Sequence, residues 1–523
     1  MRFSQSSPAI SVLFVPFVLL VLFVLFATPP WAAAQTVDAG TPPVAAPMPT
    51  PPKDPEARRA WLKARLDEIL GGPALARAKV SVVVVDPESG KSLYAKNEKS
   101  GLNAASNVKI ITEAAGLALL GPEFRWKTTV LGAAGPDGGK AVTAGELRGD
   151  LYVKTSGDPS LSTQDLNGLA TSLGATGLRK VRGGLVVDTS AFDNTTLAPA
   201  FEQKNDSAAF RAPSSAASLN GNVVTLTITP ATSAGAPARV VLEPASAAVV
   251  LSGTVTTAAK GPAVPEVDTS DAGGGQTRVT VAGRILIGSE PRVLQRRVVT
   301  PEIYFAQTFK QVLAKRGITI DKPVREGSAP KDGVRVLATH ESPTLAVVVH
   351  ELGKRSSNFA AEQLLRTIGA ETLGRPGTWQ KGLDAVARYL EGAGIPRGTY
   401  VMKNGSGLYD SNRFSAEQIA LVLRAAMRDF RIASEFLASL AVGGADGTLA
   451  HRMGGSASER YVRAKTGTLA NISCLSGLVG APGSKPLIFS ILINEVPSPI
   501  AARMAQDRIT AVLVAFLDPS LAK

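Results

Sequence analysis

Hydrophobic and polar positions along this 523-residue chain change their period several times, and each change marks an element. Asp54 stands before an amphipathic run through Trp61, Leu62, Leu66, Ile69 and Leu70, which predicts a capped helix. A β-branched run at 80–85, a turn at 86–90 and a short return at 93–95 predict a hairpin. From Val108 to Leu120 the apolar residues recur at helical spacing, and Gly121 and Pro122 supply a stop. Ser106 is therefore expected at the first turn of a buried helix, with Lys109 one turn on and facing the same side.

Between about 128 and 297 the pattern becomes short Val/Thr/Leu runs, at 147–153, 184–187, 223–229, 240–242 and 279–287, separated by Gly, Pro, Asn and Asp turns. One helix is expected there, at 163–173. This reads as one or two β-rich insert domains. Helical period returns at 301–316, 342–352, 358–369, 381–391 and 416–428; strands are expected at 465–469, 475–479 and 486–493, and a closing helix at 500–516. No internal repeat is visible.

The N-terminus is different in kind. Arg2 precedes an apolar run at 10–27, then Pro29, Pro30 and Trp31 and the small-residue site Ala32, Ala33 and Ala34. This pattern predicts a secretory signal over 1–34, cleaved near Ala34; the run is also long enough for an uncleaved anchor. Either way the body is exported to the periplasm or cell envelope. Residues 35–53, rich in Pro, Ala and Thr, read as a flexible spacer. The expected division is then 54–127 for the first part of a core, 128–297 for the insert and 298–523 for the rest of the core. Removing the signal changes a formal charge of +13 to +12, a balance that suits an anionic envelope polymer or a solvated basic surface. No interleaving of aromatic and basic residues points to nucleic acid. The single Cys474 forms no internal disulfide and reads as a buried strand residue. His340, His350 and His451 are too scattered for a Ser-His-Asp triad or a zinc site, so no metal or other cofactor is expected.

A hydroxyl and an amine one helical turn apart can serve as nucleophile and base when burial or a second cation lowers the lysine pKa. Ser-x-x-Lys is a weak pattern alone: Ser520 and Lys523 repeat it at the chain terminus, and the Ser-x-Asn of Ser356 and Asn358 recurs at Ser218 and Asn220. Lys465, Thr466 and Gly467 form a Lys-Thr-Gly that occurs once. Taken together, a Ser-x-x-Lys helix, then Ser-x-Asn, then Lys-Thr-Gly on a strand resembles the penicillin-binding proteins and serine β-lactamases. The 250 residues separating Ser106 from Ser356, filled with β-rich sequence, look like the low-molecular-mass class C penicillin-binding proteins, the D-alanyl-D-alanine carboxypeptidase/endopeptidase family. Further family-like stretches lie at 120–125, 149–151, 157–159, 212–213, 218–220, 376–379, 404–408 and 446–449, so the resemblance spans roughly 80–494.

The resemblance implies an α/β (α+β) fold, with a core of antiparallel sheet flanked by helices and β-rich inserts. It implies a serine peptidase that hydrolyses D-alanyl-D-alanine, or D-alanyl-diaminopimelyl cross-links, of peptidoglycan stem peptides through an acyl-enzyme, with β-lactams as covalent inhibitors. Ser106 would be the nucleophile and Lys109 its base; Ser356 and Asn358 would relay a proton and hold the substrate amide. Lys465 would bind the terminal carboxylate. Thr466, Gly467 and Thr468 would line the substrate, with backbone donors at Ser106 and Thr468 for the oxyanion. A β-lactamase-like hydrolase and a catalytically silent peptidoglycan-binding protein are the competing readings, and the oligomeric state is open. Two departures bear on substrate preference: Tyr409 and Asp410 follow the Gly-Ser-Gly-Leu stretch where the family usually has Ser, and the segment 198–206 lacks the family's tryptophans, leaving Asp206 as the acidic candidate there.

Overall fold

The computed structural model describes residues 49–135 and 139–522. The expected signal and the spacer as far as residue 48 lie outside the described residues. Among those described, no helix is long and apolar enough to cross a membrane.

The sheet that carries the site has six strands, in the order Ala441–Val442, Val462–Leu469, Ile472–Val479, Leu487–Asn494, Lys79–Val85 and Ser92–Lys96. Every neighbouring pair is antiparallel. Its two central strands from the C-terminal half are buried along their whole length, which explains their nearly unbroken apolar sequence: both faces are covered. On one face Val82, Val84, Leu475, Phe489 and Ile491 share a core with Leu62 and Leu66 of the Pro55–Leu70 helix and with Ile509 and Leu513 of the Pro499–Leu517 helix. On the other, Val83, Cys474, Ile488 and Leu492 pack with Ile110, Ile111 and Ala114 of the Val108–Leu120 helix. The Val108–Leu120 helix is thus held between the sheet and the Leu345–Arg355, Asn358–Leu373, Trp379–Gly392 and Ala416–Arg428 helices. Asp54 caps the first helix as its sequence predicts, its side chain accepting from Ala57 N at 2.8 Å.

The β-rich segment forms four further sheets. One has five strands, ordered Val324–Glu326, Leu185–Asp188, Leu151–Lys154, Lys127–Ala133 and Val334–Glu341, and is covered by the Thr163–Ala175 and Pro301–Lys315 helices. Thr319–Ile320 joins a second small sheet with Lys180–Val181, Glu146–Leu147 and Val142–Thr143. The ladders therefore do not stop at Arg297: residues 319–341 return to strands from 127–188. The remaining two sheets, built from residues 223–297, enclose Val224, Leu226, Ile228, Val279 and Val281. The single strand expected at 147–153 is two strands in different sheets. Gly149 and Asp150 break it, and the Asp150 carboxylate accepts from Gly184 N at 2.7 Å.

Candidate active site

Ser106 lies in a single 3₁₀ turn, Ala105–Asn107, that runs directly into the Val108–Leu120 helix. Ala105 has φ +46°, an uncommon backbone state for a residue with a Cβ, and both it and Ala104 are fully buried. Two glycines make room for this turn. A Cβ on Gly407, itself at φ +78°, would lie 1.9 Å from the Ala105 carbonyl oxygen; one on Gly467 would lie 3.0 Å from the Ala104 carbonyl oxygen and from Asn107 Nδ2. Asn107 then ties the turn to the sheet by donating to the Lys465 carbonyl at 3.1 Å.

Lys109 is fully buried, and its Nζ has three neighbours: Ser106 Oγ at 2.9 Å, Asn358 Oδ1 at 2.7 Å and the Ser406 carbonyl oxygen at 2.6 Å. Burial and the charge of Lys465 hold its pKa well below the ordinary lysine value, against the opposing pull of Glu362 and Glu113. Lys465, on the Val462–Leu469 strand, is equally buried and donates to Ser356 Oγ at 2.7 Å and to the Thr466 carbonyl at 3.1 Å. Burial brings its pKa down to about 8, while Glu113 pulls it up.

The middle motif is built by a turn between two helices. Ser356 takes the left-handed conformation, φ +56°, at the end of the Leu345–Arg355 helix. Ser357 caps the next helix by accepting from Ala360 N at 3.1 Å, so Asn358 opens that helix rather than capping it. Its side chain is thereby free to accept from Lys109 and to donate to the Phe210 carbonyl at 2.9 Å.

The site thus holds two hydroxyl–amine pairs, Ser106 with Lys109 and Ser356 with Lys465, and Asn358, two residues beyond Ser356, accepts from Lys109. Gly467 backs the Ala105–Asn107 turn. Thr466 Oγ1 donates to Thr448 Oγ1 at 2.8 Å, and Thr468 sits on the exposed rim, accepting from Arg503 Nη2 at 3.4 Å. The cleft above Ser106 has a volume of about 670 Å³, walled by Phe210, Asn358, Tyr409, Thr468 and Asn471. Both decoys fall elsewhere: Ser218 is buried, bonded to the Ser215 carbonyl and Asn222, and Ser520 follows the closing helix.

Sequence reasoning missed several supporting groups. Glu362 is buried and accepts from Gly405 N at 3.1 Å, Ser406 N at 2.8 Å and Trp379 Nε1 at 2.9 Å, which fixes the loop whose carbonyl meets Lys109. Its position four residues beyond Asn358, on the same helix face, was the available signal. Asp206 does not wall the cleft; its carbonyl receives Arg211 and Arg297.

An antiparallel sheet backed by a buried helix, with a hydroxyl facing a desolvated amine at the helix start and a second such pair at the sheet edge, defines a penicillin-binding-protein-type fold and site. Comparison with known proteins gives the family. The model of the D-Ala-D-Ala carboxypeptidase 3 (S13) family matches residues 62–515, and the chain belongs to that family. It is 35% identical over 475 residues to the D-alanyl-D-alanine carboxypeptidase of Actinomadura sp., covering 88% of this chain and 86% of that protein. It is 27% identical over 402 residues to D-alanyl-D-alanine carboxypeptidase DacB of Haemophilus influenzae, covering 76% and 81%. The crystal structure of penicillin binding protein 4 from Haemophilus influenzae shares the fold, with a TM-score of 0.74 at 23% identity over 86% of this chain and 98% of that one. A second structure of that protein, complexed with a β-lactam, gives 0.69 at 24% identity over 85% and 98%.

Proposed function

We propose that the chain is a serine DD-peptidase whose acyl-enzyme forms on Ser106, acting on the D-alanyl-D-alanine end of peptidoglycan stem peptides and on the chemically related D-alanyl cross-links. The observation that carries the mechanism is the surroundings of Lys109 Nζ. Two of its three neighbours, Asn358 Oδ1 and the Ser406 carbonyl, can only accept. In the neutral amine they take both N–H groups, and the lone pair is left for the Ser106 hydroxyl. Burial beside Lys465 favours that neutral form.

Ser106 Oγ attacks the carbonyl of the penultimate D-alanine as Lys109 takes its proton. The oxyanion is received by the Ser106 and Thr468 backbone N–H groups. Ser356 Oγ relays the proton taken up by Lys109 to the leaving D-alanine nitrogen, which returns Lys109 to its neutral form, while the Lys465 ammonium, 2.7 Å from Ser356 Oγ, keeps its charge. Lys465, Thr466 and Thr468 meet the terminal carboxylate, and Asn358 holds the substrate amide. Water then takes the leaving group's place, releases the shortened peptide and returns Ser106. The same serine accepts β-lactams. The N-terminal apolar run and its small-residue site support an exported, periplasmic enzyme, with residues 54–126 and 342–522 as the core and 127–341 as the insert.

Release of D-alanine from a diacylated Lys-D-Ala-D-Ala tripeptide tests this reading. The wild type is expected to release D-alanine, and Ser106→Ala to lose about three or more orders of magnitude in kcat; equal release by both would refute it.

A further inference from the structure

Glu113 lies four residues beyond Lys109 on the same helix, hence on the same face, and has no exposed surface. One carboxyl oxygen is 2.9 Å from Ser439 Oγ; the other has no hydrogen-bond partner. A buried carboxyl left half-satisfied costs stability, so its presence one helical turn beyond Lys109 calls for a reason. Ser439 shows how the group can change state. Its Oγ also lies 2.8 Å from the Phe436 carbonyl, and a hydroxyl has one proton. Ser439 can donate to an ionised Glu113, or donate to Phe436 and accept from a protonated one.

The surroundings limit which charges act on it. Lys109 and Lys465 both do so. Glu362, on the adjacent Asn358–Leu373 helix, acts on Lys109, and Arg366 on that helix is turned to Asp193. Lys354, from the Leu345–Arg355 helix, is held by the Leu440 carbonyl and Asp446. The buried residues of the Trp379–Gly392, Ala416–Arg428 and Ala433–Ser439 helices are uncharged.

We propose that Glu113 is a positioning residue for the reaction assigned above: its buried carboxylate is the counter-charge that keeps Lys465 protonated and able to hold the substrate carboxylate. Burial raises the Glu113 pKa to about 7, and the two lysines oppose that rise. The ionised form therefore appears in the range where Lys465 would otherwise begin to lose its proton. Without Glu113, desolvation of Lys465 goes uncompensated.

The test is the pH profile of kcat/KM for D-alanine release from the tripeptide by the full chain. Glu113→Gln keeps the shape and removes the charge. It is expected to move the alkaline limb about one pH unit toward acid, with KM rising there before kcat falls. Ser439→Ala, which withdraws the hydroxyl that favours ionised Glu113, should move the same limb the same way by less, and serves alone where the Gln variant does not fold. Variants that lose amplitude with the limb unmoved would overturn the proposal and leave Glu113 a packing residue. Wild-type release that survives Ser106→Ala would overturn the underlying reading, and this one with it.

Discussion

At the scale of single residues, the site is governed by two buried lysines whose charge is costly. Burial without a carboxylate in direct contact favours the neutral amine, and each ammonium disfavours the other. For Lys465 the folded value, about 8, lies below the unfolded value of 10.5. Its contribution to stability is therefore complete above pH 10.5 and lost as the pH falls through about 8. Melting wild type and Lys465→Met in parallel across this range should show the difference in Tm moving in favour of the wild type as pH rises from about 8 to 10.5. A constant difference would mean that the ammonium is not desolvated as described. Ser106, Lys109, Ser356 and Lys465 were legible because their spacings recur in a fixed order. Glu113 was not: a glutamate at helical spacing from a lysine reads as a solvated pair, and only the packing of distant helices buries it.

At the scale of elements, the position of Ser106 depends on close backbone approaches more than on its own helix. The Gly407 loop and the Gly467 strand both press on the turn that holds it. Gly407→Ala would place a methyl against the Ala105 carbonyl at a positive φ, so the turn has to move. A loss of stability of about 2–4 kcal/mol is expected, together with a slower acylation rate in the fraction that folds. Wild-type acylation kinetics in this variant would contradict the account of the turn. Long periodic elements could be read from the sequence: the Val108–Leu120, Ala416–Arg428 and Pro499–Leu517 helices lie where their apolar spacing predicts. Strands such as Pro265–Gly273 and Val334–Glu341 could not. Their exposed positions include Asp, Glu, Ser, Thr and Arg, and their apolar positions gain meaning only from partners elsewhere in the chain.

At the scale of the whole molecule, the insert forms part of the cleft. Phe210, from the insert, receives Asn358 through its carbonyl and leaves its ring half exposed at the cleft wall. Behind it, Arg366 from the core is stacked between Phe192 and Trp379, each ring centre 4.4 Å away, and donates to the Ser214 carbonyl and to Asp193. One segment is thereby anchored to the other through the Asn358–Leu373 helix. Composition marked the insert as β-rich, but its ladders extend through residues 319–341, because those strands find their partners across more than a hundred residues.

The central claim is that a buried Lys109 makes Ser106 the acylated nucleophile. The most direct measurement is incubation of the wild type and Ser106→Ala with labelled penicillin, followed by mass spectrometry of the modified peptide. A single adduct on the peptide containing Ser106, absent from the variant, is predicted. Equal labelling of the variant, or an adduct on Ser356 or any other residue, would contradict it.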